Sequence, residues 1–221
     1  MSAVTIAGLL LIAVPLAFNA AFARLAATFD YPDVLRKPTA EVLAAFRAGG
    51  TALVLSWWGF ALTAVLLAPL VVLFAAAIPD ADPTLLSVAT TIGVLASVAQ
   101  FLGLVRWPFL VPYLAQAGDS EVVDVVFQAF NRYLGVAVGE HLGYLLTGAW
   151  TMLAGIALTQ TATVPGWLGV IGIVIGPALM LCSLEFVGRR NGWRLAERLT
   201  PPAYIAWSLW LIATGITLLV S

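Results

Sequence analysis

The chain has 221 residues, 62% of them hydrophobic, with a formal net charge of −1 and a mean hydropathy of +1.03. So much apolar surface with so little charge excludes an ordinary soluble fold, and ten basic against eleven acidic residues exclude the concentrated positive surface that nucleic acid requires. The expectation is an all-α integral membrane bundle forming one domain, residues 1–221, with the lipid bilayer as its first partner.

Crossing the ~30 Å hydrocarbon core takes roughly 20 mostly apolar residues. The first stretch that qualifies is residues 3–23, within MSAVTIAGLLLIAVPLAFNAAFA. It lacks a positive leader and is too long for a typical secretion-signal core, so it reads as a retained span. Arg24, Arg36, Lys37 and Arg47 follow. Among them residues 38–49, PTAEVLAAFRAG, predict an amphipathic helix with Val42, Leu43 and Phe46 on one face.

The second span, residues 51–78, would be about 40 Å long at 1.5 Å per residue, so it should tilt or bend, with Pro69 as the natural place. The third, residues 84–105, ends at Arg106 and is followed by WPFLVPYLA. Two readings of Pro108 and Pro112 stay open. Either they end the span, with Trp107 and Tyr113 as interfacial anchors, or the helix slides deeper and they break it within the membrane.

Residues 120–132, SEVVDVVFQAFNR, predict a second amphipathic helix, with Val122, Val123, Val126, Phe127 and Phe130 opposite Glu121, Asp124, Gln128 and Asn131. The fourth span, residues 134–160, begins with Glu140 beside the chain's single histidine, His141. Gly135, Gly139 and Gly143 sit at four-residue spacing, which admits a closely approaching helix, and Gly172 with Gly176 repeats the device in the fifth span, residues 167–187. Glu140, Tyr144, Thr147 and Thr151 form a stripe that reads equally as a polar path or as an interhelical hydrogen-bonding face. The sixth span is residues 203–220.

The remaining basic residues fall in the third and fifth links: Arg106 and Arg132, then Arg189, Arg190, Arg194 and Arg198. Under the positive-inside rule the first, third and fifth links are cytoplasmic, both termini are outside, and the amphipathic helices of the first and third links lie on the inner side. Arg106, Glu140, His141 and Glu185 then share a depth near the cytoplasmic end, with Asn19 and Arg24 at a similar level. A charge at the bilayer centre costs ~2.5–3.5 kcal/mol, so Glu140 and Glu185 should reach the headgroups or find a partner such as Arg106 or Arg189. The candidate ligand-binding residues read from depth and the polar stripe are Arg106, Glu140, His141, Tyr144 and Glu185.

Much chemistry is excluded by absence. One histidine cannot supply a bis-histidine haem within one subunit, and there is no HExxH, cysteine cluster, GxSxG elbow or P-loop. Cys182 has no partner for a disulfide, and Lys37, the only lysine, lies in a link where no retinal Schiff base could form inside the bundle. No catalytic residue, metal or cofactor is assigned.

The runs LGLVRWPFLVPYLA (residues 102–115) and FNRYLGVAVGEHLGYLLTGAW (residues 130–150) resemble a bacterial family of multi-pass membrane proteins catalogued as a domain of unknown function. The resemblance implies a six-span protein of the bacterial cytoplasmic (inner) membrane. It focuses attention on Arg106, Trp107, Pro108, Asn131, Arg132, Tyr133, Glu140 and His141, which adds Trp107, Asn131 and Arg132 to the candidate ligand-binding residues, and it supplies no activity, substrate or cofactor. Three functions follow as expectations. The first is binding or transport of a small or lipophilic ligand in a cavity near the cytoplasmic face. The second is an accessory subunit that docks another membrane protein or a second copy. The third is a membrane enzyme acting on a lipid-like substrate, with Glu140 and His141 as acid and base.

Overall fold

The computed structural model describes residues 1–188 and 194–220. Seven α-helices account for most of them: α1 (Ala3–Phe29), α2 (Thr39–Ala77), α3 (Pro83–Gln116), α4 (Glu121–Phe130), α5 (Gly143–Leu158), α6 (Gly166–Cys182) and α7 (Arg194–Val220). A π-helical segment, Asn131–Leu142, joins α4 to α5 without a break, and a 3-10 turn, Ser183–Phe186, extends α6. Six of the resulting helices are long and apolar enough to cross a membrane: Ala3–Phe29, Thr39–Ala77, Pro83–Gln116, Glu121–Leu158, Gly166–Phe186 and Leu195–Val220. The chain reads as a multi-pass membrane protein.

Several spans run further than their apolar cores. Within α2 the segment 39–49 is set off from the span by a kink at Gly50, where the backbone leaves helical geometry with φ 55° and ψ −151°. Glycine adopts that conformation without a Cβ penalty, so the break in α2 falls there, while Pro69 remains inside regular helix. Pro108 and Pro112 neither end nor interrupt α3, and Pro201 and Pro202 lie within α7. Arg189 and Arg190 are outside the described residues.

The amphipathic faces are realised in part. Val42, Leu43 and Phe46 are buried, as are Val123 and Phe127 of α4. Val122 and Phe130 are turned outward instead, because α4 packs only one narrow edge against α2 and α3. Thr39 donates to Asp124 Oδ1 and accepts from Gln128 Nε2 at 3.0 Å, which clamps α4 onto the start of α2. Arg47 donates to Ala115 O at 3.0 Å and lies 3.7 Å from Asp119, closing the end of α3 with a cation where its carbonyls are free.

The principal helix contacts run α1 with α2, α2 with α3, α3 with the π segment and α5, α5 with α6, α6 with α7, and α7 back to α1. The six spans therefore form a closed ring. At usual interaxial distances of about 8–10 Å, such a ring surrounds a space about as wide as a seventh helix. At the end that carries the termini, large side chains occupy it: Phe74 and Trp150 lie with ring centres 5.8 Å apart, Trp150 and Trp210 6.2 Å apart, and Trp207 Nε1 donates to Thr151 at 2.9 Å. That end is also where Asp82 accepts from Leu85 N–H at 2.7 Å, with Pro83 as the first residue of α3. Asp82→Ala is expected to cost about 1 kcal/mol, read as a lowered unfolding midpoint in detergent; an unchanged midpoint would show the cap to be idle.

The buried apolar residues divide into two clusters. One, built around Leu11, Leu70, Phe74, Trp150 and Leu179, fills the terminal end and extends along α6 and α7 to Cys182 and Ala203. The other, built around Leu25, Phe29, Phe46, Trp57 and Trp107, belongs to α1 to α4 at the opposite, basic end and includes no residue of α5, α6 or α7. Tyr144 and Tyr204 pack against the first cluster and Tyr31 against the second. A polar zone occupies the boundary.

Candidate functional site at the basic end of the ring

The π segment organises this zone. In an α-helix of 3.6 residues per turn, Asn131 and Glu140 would be about 180° apart. A winding with i→i+5 bonds, roughly 4.4 residues per turn, brings them back to within about 20°. Asn131, Gly135, Glu140 and Tyr144 thus share the inward face, whereas Arg132, Tyr133 and Leu142 are exposed. Two close contacts hold the segment. A Cβ on Gly135 would lie 2.5 Å from the Arg106 guanidinium, and Gly103 and Gly139 meet backbone to backbone.

Arg106 of α3 is buried among these groups. It donates to Gly103 O and, at 3.0 Å, to Asn131 Oδ1, and its guanidinium lies 5.2 Å from the Trp107 ring centre. The expected ion pair with Glu140 is not formed. No described ion pair includes either residue, although the two charges act on each other across the zone. Glu140 has no hydrogen-bond partner among the described residues, and neither do the hydroxyls of Tyr31, Tyr144 and Tyr204. All four residues keep accessible surface and lie within electrostatic reach of one another. These four groups face one zone, the candidate crevice.

Tyr31, in the link between α1 and α2, is held well above the usual phenol range by burial first and by nearby Glu140 second. Its O–H is a permanent donor. Aromatic rings connect these groups into a belt: Tyr144 and Tyr204 are 4.8 Å apart, Tyr204 and Phe18 6.4 Å, Phe18 and Phe60 4.9 Å, Phe60 and Tyr31 6.3 Å, and Tyr31 and Trp57 5.1 Å. Trp57 stacks on Trp107 at 4.4 Å, which returns the belt to Arg106. Trp57 Nε1 is a fully buried donor with no partner among the described residues.

The other expected residues lie around this crevice. His141 is bonded to Ser183 O at 3.0 Å, tying the π segment to the end of α6 rather than facing Glu140 as an acid–base partner. Glu185 accepts from Thr200 at 3.3 Å, and Arg189, its other expected partner, is outside the described residues. Asn19 donates to Ser208 and Arg24 to Ser56, so both serve helix contacts and neither joins Arg106. Thr147 accepts from Gln100 and Thr151 from Trp207, which makes that part of the stripe a hydrogen-bonding face between helices. The sequence reading missed Tyr31, Tyr204, Trp57 and Gly103. Two of the five tyrosines fall at the depth of Glu140, one just after the first span and one early in the sixth, and that coincidence was the available signal.

Among the described residues no group of histidine, cysteine and carboxylate side chains has the makings of a metal site. The sequence pattern of the family described as a domain of unknown function (DUF4386) matches residues 6–215. No curated protein and no solved structure matches the chain.

Proposed function

The chain belongs to the domain-of-unknown-function family DUF4386, and from that premise we propose that it binds or transports a small or lipophilic molecule in the crevice at the basic end of the helix ring. One observation carries the reading: four polar groups, Glu140, Tyr31, Tyr144 and Tyr204, converge on one zone without hydrogen bonds from any of the described residues. Leaving a buried polar group unpaired costs about 1–3 kcal/mol, so a site of this kind is matched to a guest that supplies the partners. The distribution of Arg and Lys supports placing this end at the cytoplasmic side of a bacterial inner membrane, with both termini outside.

Neither alternative has a comparable observation. The exposed Phe109 and Tyr113 are what any bundle presents to acyl chains, so they lend an accessory role nothing. Enzymatic chemistry by Glu140 with His141 loses its geometric basis, because His141 is engaged by Ser183.

The test is thermal unfolding of the purified protein with and without a small-molecule extract of its own membranes. Binding to the folded state alone raises stability by RT ln(1 + [L]/Kd), about 2.7 kcal/mol at a hundredfold excess over Kd. The wild type is expected to gain several degrees, and Glu140→Gln, with the same shape but no charge, to gain much less. Equal gains would remove the crevice from the function.

A further inference from the structure

Away from the crevice, we propose that Arg24 holds the phosphate of an anionic phospholipid on the lipid-facing surface of the ring, in the groove between α1 and α2. Depth, direction and unused hydrogen-bonding capacity each point there.

Arg24 stands 21 residues from Ala3, the far end of α1, and Ser56 stands 21 residues from Ala77, the far end of α2. At 1.5 Å per residue both lie about 32 Å along their helices, close to the thickness of the hydrocarbon core. The Arg24 head therefore reaches the level of the lipid phosphates at the basic end. Trp58, exposed two residues from Ser56, is a side chain that this level favours.

Leu25 and Phe29 turn α1 into the ring and are buried. Ala17, Ala20, Ala27 and Thr28, which share the side of Arg24 at spacings of three, four and seven, are exposed, as is Arg24 itself. Arg24 thus points at lipid. Deeper in the membrane the groove is open: Ala17 and Ala20 keep the α1 wall low, and a Cβ on Gly59 of α2 would meet nothing within 4 Å. An acyl chain has room beneath the headgroup.

Arg24 Nε donates to Ser56 Oγ at 2.8 Å, and Ser56 donates on to Ala52 O at 2.8 Å, which fixes the plane of the guanidinium. Its two terminal nitrogens have no acceptor among the described residues. No described carboxylate pairs with it either, since Asp30 is taken by Lys37 and Asp33 by Arg36. A cation left unpaired at the edge of the hydrocarbon is matched by an anion, and a phosphate accepts from both terminal nitrogens at once. A net negative headgroup suits the groove better than a zwitterionic one, because an ammonium beside Arg24 would be repelled with no carboxylate to receive it.

The experiment is a native mass spectrometry titration of the full-length protein in detergent with dioleoylphosphatidylglycerol, dioleoylphosphatidylcholine and inorganic phosphate. The wild type is expected to bind a first phosphatidylglycerol several-fold more tightly than phosphatidylcholine. Arg24→Gln, an exposed change, should weaken phosphatidylglycerol about tenfold, as loss of charge-assisted hydrogen bonds implies, and Ser56→Ala, which frees the guanidinium, should weaken it a few-fold. Arg36→Gln removes a cation already paired with Asp33 and Glu197 and should change the affinity less than twofold. Unchanged affinity in Arg24→Gln, equal losses in Arg24→Gln and Arg36→Gln, or equal binding of the two lipids would overturn the proposal. Displacement of the lipid by inorganic phosphate would overturn the phospholipid as the source of the anion.

Discussion

Gly103→Val is expected to reduce folding stability by more than about 3 kcal/mol, enough to leave little folded protein in the membrane. A Cβ at Gly103 would fall on the Gly139 Cα and lie 3.2 Å from the Gly139 nitrogen. These are backbone atoms of a helix, so no rotamer change relieves the clash, and valine adds two further methyl groups. The damage should also reach the crevice, because this contact sets the π segment against α3. Gly59→Val is the matched control: a Cβ there meets nothing within 4 Å, and the cost should stay below about 1 kcal/mol. Unfolding midpoints of the two variants in mixed micelles decide the matter. Equal values would contradict the close approach of α3 and the π segment.

Arg106→Ala is expected to cost about 3 kcal/mol. The substitution strands Gly103 O and Asn131 Oδ1, opens space over Gly135, and leaves Glu140 without the one opposite charge that acts on it among the described residues. Arg106→Lys should restore under half of the loss, since an ammonium cannot span the carbonyl and the amide oxygen as the planar fork does. The distinctive expectation concerns the double variant. If part of the cost is an uncompensated carboxylate, Arg106→Ala/Glu140→Gln will be more stable than the sum of the two single changes requires, by about 1 kcal/mol. Strict additivity would mean that the two groups are independent.

The six spans were legible because each carries an apolar run long enough to cross a bilayer. Their ends were not. Residues 121–130 look like a separate surface helix by amphipathicity, yet they continue into a span because nothing after Phe130 stops helical hydrogen bonding, whereas residues 39–49 are set off from the second span by the non-helical Gly50. Proline is a weak stop in this setting: Pro108, Pro112, Pro201 and Pro202 all lie within helices.

Arg106 and Glu140 were found from depth, Tyr144 from its place in a helical stripe and Asn131 from the run that resembles the family. Their common face was invisible, because α-helical spacing puts Asn131 opposite Glu140. Only the π winding aligns them, and that winding depends on contacts with Gly103 and Arg106, about 30 residues away. Tyr31 and Tyr204 are further still, 173 positions apart, and meet the same space only because α7 closes the ring onto α1. His141 shows the converse. Its adjacency to Glu140 suggested a pair, but neighbours on a helix point in different directions, and the imidazole reaches Ser183.

The most direct measurement is native mass spectrometry of the protein extracted gently from its own membranes, without delipidation. A guest in the crevice predicts a retained small-molecule mass on the wild type, in fixed proportion to the chain, that is lost in Glu140→Gln while the fold persists. A folded wild-type chain that carries no such mass, or one whose bound mass is unchanged in Glu140→Gln, would contradict the crevice as a binding site.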